Sequence, residues 1–282
     1  MRRPSPLARF AIHAGLVLIT FATLYPVLWV FKMALTDSQS FALTINPIPW
    51  PITLRNFQDV VTTTDMEGHW LFGRQLLNSL LVSGATTVVG MILACTAGYA
   101  FSRFEFPGNR AGLKGMLVTQ MFPGVVMAIP LYILMDRLHL LDSLTGLTLV
   151  YSTTAIPFCV WMLKGYFDTI PRELEEAAIM DGASQWTVFT KVMLPLVRPA
   201  LAVTALFSFM TAWNEFILAA TFMNGARSYT LPVALQHYVG DYSTEWGRFA
   251  AGAILVSIPV MALFMVLQRH LVEGLTAGGV KG

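Results

Sequence analysis

Within an apolar run from Ala200 to Ala226 stands one carboxylate, Glu215, flanked by Trp213, Asn214 and Phe216. An acid in such surroundings can couple protons, bind a substrate, or anchor a helix interface together with Asn214 and Trp213. The anchor is the preferred reading, and Asn214 and Glu215 are kept as a candidate intramembrane polar site. Aromatic residues gather further on, at Tyr229, His237, Tyr238, Tyr242 and Trp246. They can stack on sugar rings, contact a partner protein, or form an interfacial belt. The five histidines, His13, His69, His139, His237 and His270, are scattered along the chain. None reads as half of a catalytic or metal-binding pair, so a membrane hydrolase has little support and no metal is expected. Cys95 and Cys159 lie in apolar runs without ligand partners and read as packing residues. No Gly-rich phosphate loop ending in Gly-Lys-Ser or Gly-Lys-Thr occurs.

The elements that position these residues are set by composition. Of 282 residues, 55 % are apolar and only 12 % charged, where soluble domains average about 45–50 % and about 25 %. With a mean hydropathy of +0.62, the chain reads as an integral membrane protein whose outer wall faces lipid. Its formal net charge of +2 argues against an electrostatic grip on nucleic acid.

A helix needs about 20 apolar residues to cross a bilayer. Six runs qualify, at 10–31, 76–101, 115–135, 143–163, 200–223 and 249–268. Prolines within them, such as Pro26, Pro123, Pro130 and Pro157, are tolerable where neighbouring helices satisfy the freed backbone. The first run follows Arg2, Arg3 and Arg9 but is too long for a cleaved signal, so it reads as a retained span. With the N-terminus inside, twelve of the 18 Lys and Arg fall in the cytoplasm, which favours both termini there. Gly90, Ala94 and Gly98, at four-residue spacing, form a small-residue seam for close helix packing.

The segment 164–199 between the fourth and fifth spans reads as two short cytoplasmic helices. Pro171 suits a first helical turn, and Glu173, Glu175 and Glu176 complement the positive end of the first helix. Gly182 stops it; Ser184 caps a second helix through Trp186, Phe189 and Met193, which Pro195 is expected to end. The first helix shows Ala177, Ala178, Ile179 and Met180 beside acids, a small apolar knob suited to a groove in a partner. A helix lying flat on the membrane would prefer a basic polar face.

The pattern Glu176-Ala177-Ala178, three residues, Gly182, nine residues, Val192, one residue, Leu194-Pro195 resembles the EAA loop of permease subunits in bacterial ABC importers. One position departs, Val192 standing where that family commonly has Ile. The resemblance to carbohydrate-uptake permeases extends through Thr53–Phe57, Ala100–Phe104, Pro130–Tyr132 and Trp213–Phe216. The ending, Gly274 to Gly282, is similar to the tail of the shorter permease subunit of maltose-type importers.

The resemblance implies an all-α integral membrane protein of the bacterial inner membrane, with six transmembrane helices, both termini cytoplasmic, and one transmembrane domain over 1–282. Glu176, Ala177, Ala178, Gly182, Val192, Leu194 and Pro195 would belong to a coupling helix and its loop, docked on a cytoplasmic ABC ATPase dimer. This chain would bind no cofactor; the partner ATPase would bind ATP and Mg. Further partners would be a second homologous permease, membrane lipid, and a periplasmic sugar-binding protein; Tyr238, Tyr242 and Trp246 are candidate contacts for the last, with an interfacial belt as the alternative. The implied activity is half of an alternating-access pathway for a carbohydrate, maltose or maltodextrin, in a subunit that is not itself an enzyme. A stand-alone ion-coupled sugar carrier using Glu215 is the alternative.

Overall fold

The computed structural model describes residues 5–41, 46–240 and 243–278. Tyr242, Arg2, Arg3, Lys281 and the last four residues of the tail therefore lie outside the described residues. The ordered elements are helices: α1 (Pro6–Ala34), α2 (Arg55–Val61), α3 (Leu71–Arg103), α4 (Asn109–Thr119), α5 (Gly124–Arg137), α6 (Leu144–Asp168) and α7 (Glu173–Met180). Then come α8 (Gln185–Thr187), a π-helical segment (Val188–Met193), α9 (Leu194–Leu196), α10 (Arg198–Trp213), α11 (Ile217–Phe222), α12 (Leu231–Gln236) and α13 (Trp246–Gly278). Among the described residues there is no strand, only two isolated bridges, Thr64 with Trp70 and Val239 with Thr244.

Among the described residues, four helices, α1, α3, α6 and α13, are long and apolar enough to cross a membrane. The number rises to six if two bent pairs, α4 with α5 and Gln185–Leu196 with α10, each count as one span. The run expected to be continuous over 115–135 is thus broken, its halves bent by 101°. The N–H groups of Gln120 and Met121 turn back onto the carbonyls of Leu117 and Val118 at 3.1 and 3.0 Å. Pro123 then holds an extended backbone, ψ 130°, at the N-cap of α5. Pro26, Pro130 and Pro157 stay inside their helices, whereas Pro123 adds its missing donor to a following glycine, and the ladder ends.

The expected fifth span, 200–223, is interrupted as well. Helix α10 stops at Trp213, and α11 restarts at Ile217 because the Glu215 carboxylate accepts the N–H of Leu218 at 2.9 Å and of Ala219 at 3.1 Å. The carboxylate thereby supplies what the preceding helical turn would have supplied.

The chain divides into two compact units. In the first, running to Gly73 and including Ala234–Ile258, Ala34, Val60, Ala250 and Ala251 form the core with Phe57, Phe72 and Tyr238 around them. Asn56, fully buried, clamps the end of α1 there. Its Nδ2 donates to the carbonyls of Thr36 at 2.7 Å and Ala34 at 3.1 Å, while Oδ1 accepts from Gln39 Nε2 at 2.7 Å. Those carbonyls have no onward helical donor. Asn56→Ala should therefore cost about 1–3 kcal/mol for each carbonyl left buried and unpaired, read as a lower melting temperature of the detergent-purified protein. An unchanged melting temperature would show the clamp to be idle.

In the second unit, Arg74–Val233 with the chain from Pro259, α6 is the central element and α10 packs along it. The small-residue seam of α3 lets α6 approach to backbone distance: a Cβ placed on Gly98 would stand 3.1 Å from the Lys164 amide nitrogen and 3.3 Å from the Val160 carbonyl oxygen. Ala94, one turn back, is fully buried among Cys159, Val160 and Leu163. Close approach of this kind maximises dispersion contact, the main attraction available to helices in lipid.

Candidate functional site: α7 and its anchorage

The acids predicted to start a helix do so. Glu173, Glu175 and Glu176 occupy the first turn of α7, where they offset the partial positive charge of its end. The helix closes with a paired motif of two hydrogen bonds, Gly182 N–H to Ile179 O at 2.9 Å and Ala183 N–H to Ala178 O at 3.0 Å. Gly182 takes φ +87°, a left-handed conformation that costs glycine nothing. Glu176 and Ala177 lie exposed, Ile179 is 51 % exposed and Met180 88 %. The helix therefore presents an acidic shoulder and an apolar tip.

Its inner face is held by a buried ion pair. Glu175, the neighbour of the motif's Glu176, pairs with the Arg103 Nε at the end of α3, their side chains 11 % and 7 % exposed. Tyr99 Oη donates to the other Glu175 oxygen at 2.7 Å. The remaining Arg103 nitrogens donate to the Ile170 carbonyl at 2.9 Å and to Ser102 Oγ at 3.2 Å. Ser102 Oγ in turn donates to Asp168 Oδ1 at 2.6 Å, and Asp168 also pairs with Lys164. Each buried charge thus has a counter-charge and further hydrogen bonds, the condition under which burial is tolerated. The Tyr99 ring lies 4.9, 5.5 and 5.8 Å from the rings of Phe189, Phe167 and Phe104. Helices α3, α6, α7 and the π-helical segment are therefore tied at one point. Beside it, a cavity of about 650 Å³ carries Arg103, Arg110 and Arg172 with Glu105 on its wall, so the acids of α7 adjoin a basic surface.

The motif's second half faces inward. Val192 and Leu194 pack against the cluster of Phe167, Val188, Phe189 and Met193. Ser184 caps as expected, accepting from Thr187 N–H at 3.2 Å. Pro195 does not end the helix; Gln185–Leu196 runs through it, preceded by the π-helical turns of Val188–Met193. The wider π register moves carbonyls away from the proline ring, which would collide with them in an α-helix.

The other candidates are not brought to this site. Asn214 is exposed at the end of α10, its Nδ2 donating to Met210 O at 2.9 Å, and Glu215 caps α11. Tyr238 is half-buried in the core of the first unit, its Oη 3.3 Å from Thr63 Oγ1. Trp246 is also half-buried, its ring 5.4 Å from Phe41. Spacing missed one grouping: the turn after α2 gathers ligand atoms of Asp65, Glu67 and His69 within 4.8 Å of one another. Asp65 Oδ1 there accepts the N–H groups of Glu67 and His69 at 3.0 and 2.8 Å, so its carboxylate shapes the turn. Spacing also does not signal the grouping of Glu175 with Tyr99 and Arg103, or of Ser102 with Asp168. The available signal was Arg103 at the end of a long uncharged run, where a charge requires a partner.

These features define a multi-span helical membrane protein with a protruding helix locked onto the ends of two spans. Residues 86–276 match the family described as binding-protein-dependent transport system inner membrane component, and the chain belongs to that family. It is the family expected from the spacing of Glu176 to Pro195. The chain is 38 % identical over 287 residues to the maltose/maltodextrin transport system permease protein MalG of Salmonella typhimurium, covering 96 % of this chain and 95 % of the relative. It is 35 % identical over 266 residues to the diacetylchitobiose uptake system permease protein DasC of Streptomyces coelicolor, covering 94 % and 95 %. Its fold is similar to that of a chain of a bacterial ABC transporter importing the acidic polysaccharide alginate, with TM-score 0.78, 23 % identity, and 95 % and 99 % of the two chains covered.

Proposed function

We propose that this chain is a permease subunit of an ATP-driven carbohydrate importer, with maltose or maltodextrin as its cargo. The observation that carries the reading is α7, an exposed, apolar-tipped helix fixed to α3 by the Glu175–Arg103 pair. A helix so held can pass force to the spans without bending away from them. The sugar assignment is supported by near-full-length identity to permeases named for maltose/maltodextrin and diacetylchitobiose.

In this reading both termini and α7 are cytoplasmic, and the chain supplies six spans and half of the pathway. A second homologous permease supplies the other half, a periplasmic binding protein delivers the sugar, and two ATPase subunits hold ATP and Mg. Closure of the ATPases moves α7, with Glu176, Ala177, Ala178 and Gly182 at the dock. Val192, Leu194 and Pro195 carry the movement into α10, and the bundle opens toward the loaded binding protein. Hydrolysis resets it.

The test is reconstitution of the chain with its native neighbours in proteoliposomes, following radiolabelled maltose, maltotriose and diacetylchitobiose. Uptake that requires both ATP and the binding protein is expected, maltose and maltotriose being taken up in preference to diacetylchitobiose. The reverse preference would replace the cargo. Uptake by the chain alone, driven by a proton gradient, would overturn the importer reading and turn attention to Glu215.

A further inference from the structure

Two breaks in the apolar helices of the second unit rest on one turn of α6. At the first, Gln120–Pro123 between α4 and α5, Gln120 Nε2 donates to the Thr154 carbonyl at 2.9 Å. At the second, Asn214–Phe216 between α10 and α11, the Glu215 carbonyl accepts from Tyr151 Oη at 3.5 Å. Tyr151 and Thr154 are three residues apart on α6 and so lie on neighbouring positions of one face.

Irregular backbone within a membrane is tolerated only where it is buried in protein or lines a wet cavity. The first break is not buried within this chain, since Met121 is 80 % and Phe122 57 % exposed and Gln120 is exposed too; at the second, Glu215 and Phe216 are half-buried and Asn214 is exposed. No acceptor among the described residues takes the first-turn N–H groups of Gly124 and Val125. In secondary transporters, discontinuous helices of this kind commonly form the substrate site.

The chemistry presented is that of a neutral, hydroxyl-rich ligand. Each amide spends its nitrogen on a backbone carbonyl, Gln120 on Thr154 and Asn214 on Met210. Each therefore offers its oxygen as an acceptor, with the Gly124 and Val125 N–H groups as donors; a sugar hydroxyl uses both kinds. Phe207, 39 % exposed and 4.2 Å centroid to centroid from Phe158, adds an aromatic face one and two turns from the breaks. Glu215, the acid at this place, is already occupied by Leu218 and Ala219. A free charge to select an ionic cargo is therefore missing from the two breaks.

We infer that the two breaks form a sugar-contact point in this subunit, with Gln120 and Asn214 as hydrogen-bonding residues that set specificity for an uncharged carbohydrate. The inference rests on the importer reading and adds the residues and the charge class of the cargo. In the reconstituted transporter, Gln120→Ala and Asn214→Ala should each raise the KM for sugar roughly three- to tenfold, the size of one or two lost hydrogen bonds. The maximal rate should change less, and Gln120→Asn and Asn214→Gln should recover part of the loss. A second measurement does not depend on transport. In a Cys95→Ser, Cys159→Ala background, Gln120→Cys in the assembled complex should react with a membrane-impermeant hydrophilic maleimide from one side, and saturating sugar should slow that reaction.

Wild-type KM in both alanine variants, or a Gln120→Cys thiol unreactive toward the hydrophilic reagent, would overturn the contact point while leaving the importer reading intact. Failure of the unaltered transporter to take up any neutral sugar with ATP would instead remove the importer reading itself.

Discussion

Glu175→Ala is expected to abolish ATP-driven uptake and to lower the melting temperature of the purified protein more than any other single substitution in α7. Glu175 and Arg103 are almost wholly buried, and the carboxylate is shared between Arg103 and Tyr99. Removing it leaves a nearly buried guanidinium with only Ser102 Oγ and the Ile170 carbonyl as acceptors. Breaking a buried pair in this way costs about 3–5 kcal/mol, because the surviving charge is uncompensated. Set against a typical total stability of about 5–15 kcal/mol, such a loss is a large fraction of the margin. Tyr99→Phe removes one hydrogen bond to a charged group and should cost less, about 1.5–3 kcal/mol.

Destabilisation alone would not establish that the pair positions α7. The double substitution Glu175→Leu with Arg103→Met replaces both charges by apolar groups of similar volume, an exchange that is often neutral for stability. It should restore the melting temperature, yet leave uptake impaired, because an apolar contact does not fix the orientation of α7 as a carboxylate held by directed hydrogen bonds from Arg103 and Tyr99 does. A double variant that recovers both melting temperature and uptake would reduce the pair to a packing element. An unchanged melting temperature in Glu175→Ala would remove the argument at its base.

The residues around Glu175 also show where reading the sequence stops. The helix over 173–180, its acidic first turn, the Gly182 stop and the Ser184 cap all follow from local chemistry, which one turn of backbone decides. Which of two adjacent acids turns inward is different, since Glu175 and Glu176 sit about 100° apart on the helix. The choice depends on Tyr99 and Arg103, more than seventy positions away in the chain. The same limit explains Pro123 and Glu215. Several prolines sit within apolar runs: the Pro123–Gly124 pair weakens its helix locally, while the Gln120 bond to the Thr154 carbonyl of α6 beside the break is a tertiary contact, and Pro26, Pro130 and Pro157 stay inside their helices. Glu215 could be recognised as an intramembrane acid, but its use as a cap for α11 requires that α10 has already ended. At Asp65, Glu67 and His69, a turn with Gly68 at φ +83° folds three spaced residues onto one another, which no helical or strand periodicity signals.

Gly182→Asp is expected to cut ATP-driven uptake at least about tenfold while the chain itself remains folded. The two halves of that expectation have different causes. A Cβ at position 182 would meet nothing within 4 Å, so crowding inside the chain is negligible. An L-residue at φ +87° carries a strain of about 1–2 kcal/mol, less for Asp and Asn than for others. A further carboxylate at the negative end of α7, beside Asp181, adds about 0.3–1 kcal/mol. These costs fall on one helix end and lie well below those of Glu175→Ala. If α7 docks in a cleft of the ATPase, however, the new charge enters the interface beside Ile179 and Met180, and an unpaired buried charge there costs several kcal/mol. A loss of about 1.4 kcal/mol in the docked state already corresponds to tenfold. Gly182→Asn separates the causes, because it meets the same backbone demand without the charge. Uptake near wild type in Gly182→Asn and lost in Gly182→Asp would assign the effect to the docked surface. Equal loss in both would assign it to the turn, and normal ATPase recovery with normal uptake in Gly182→Asp would mean that α7 does not dock there.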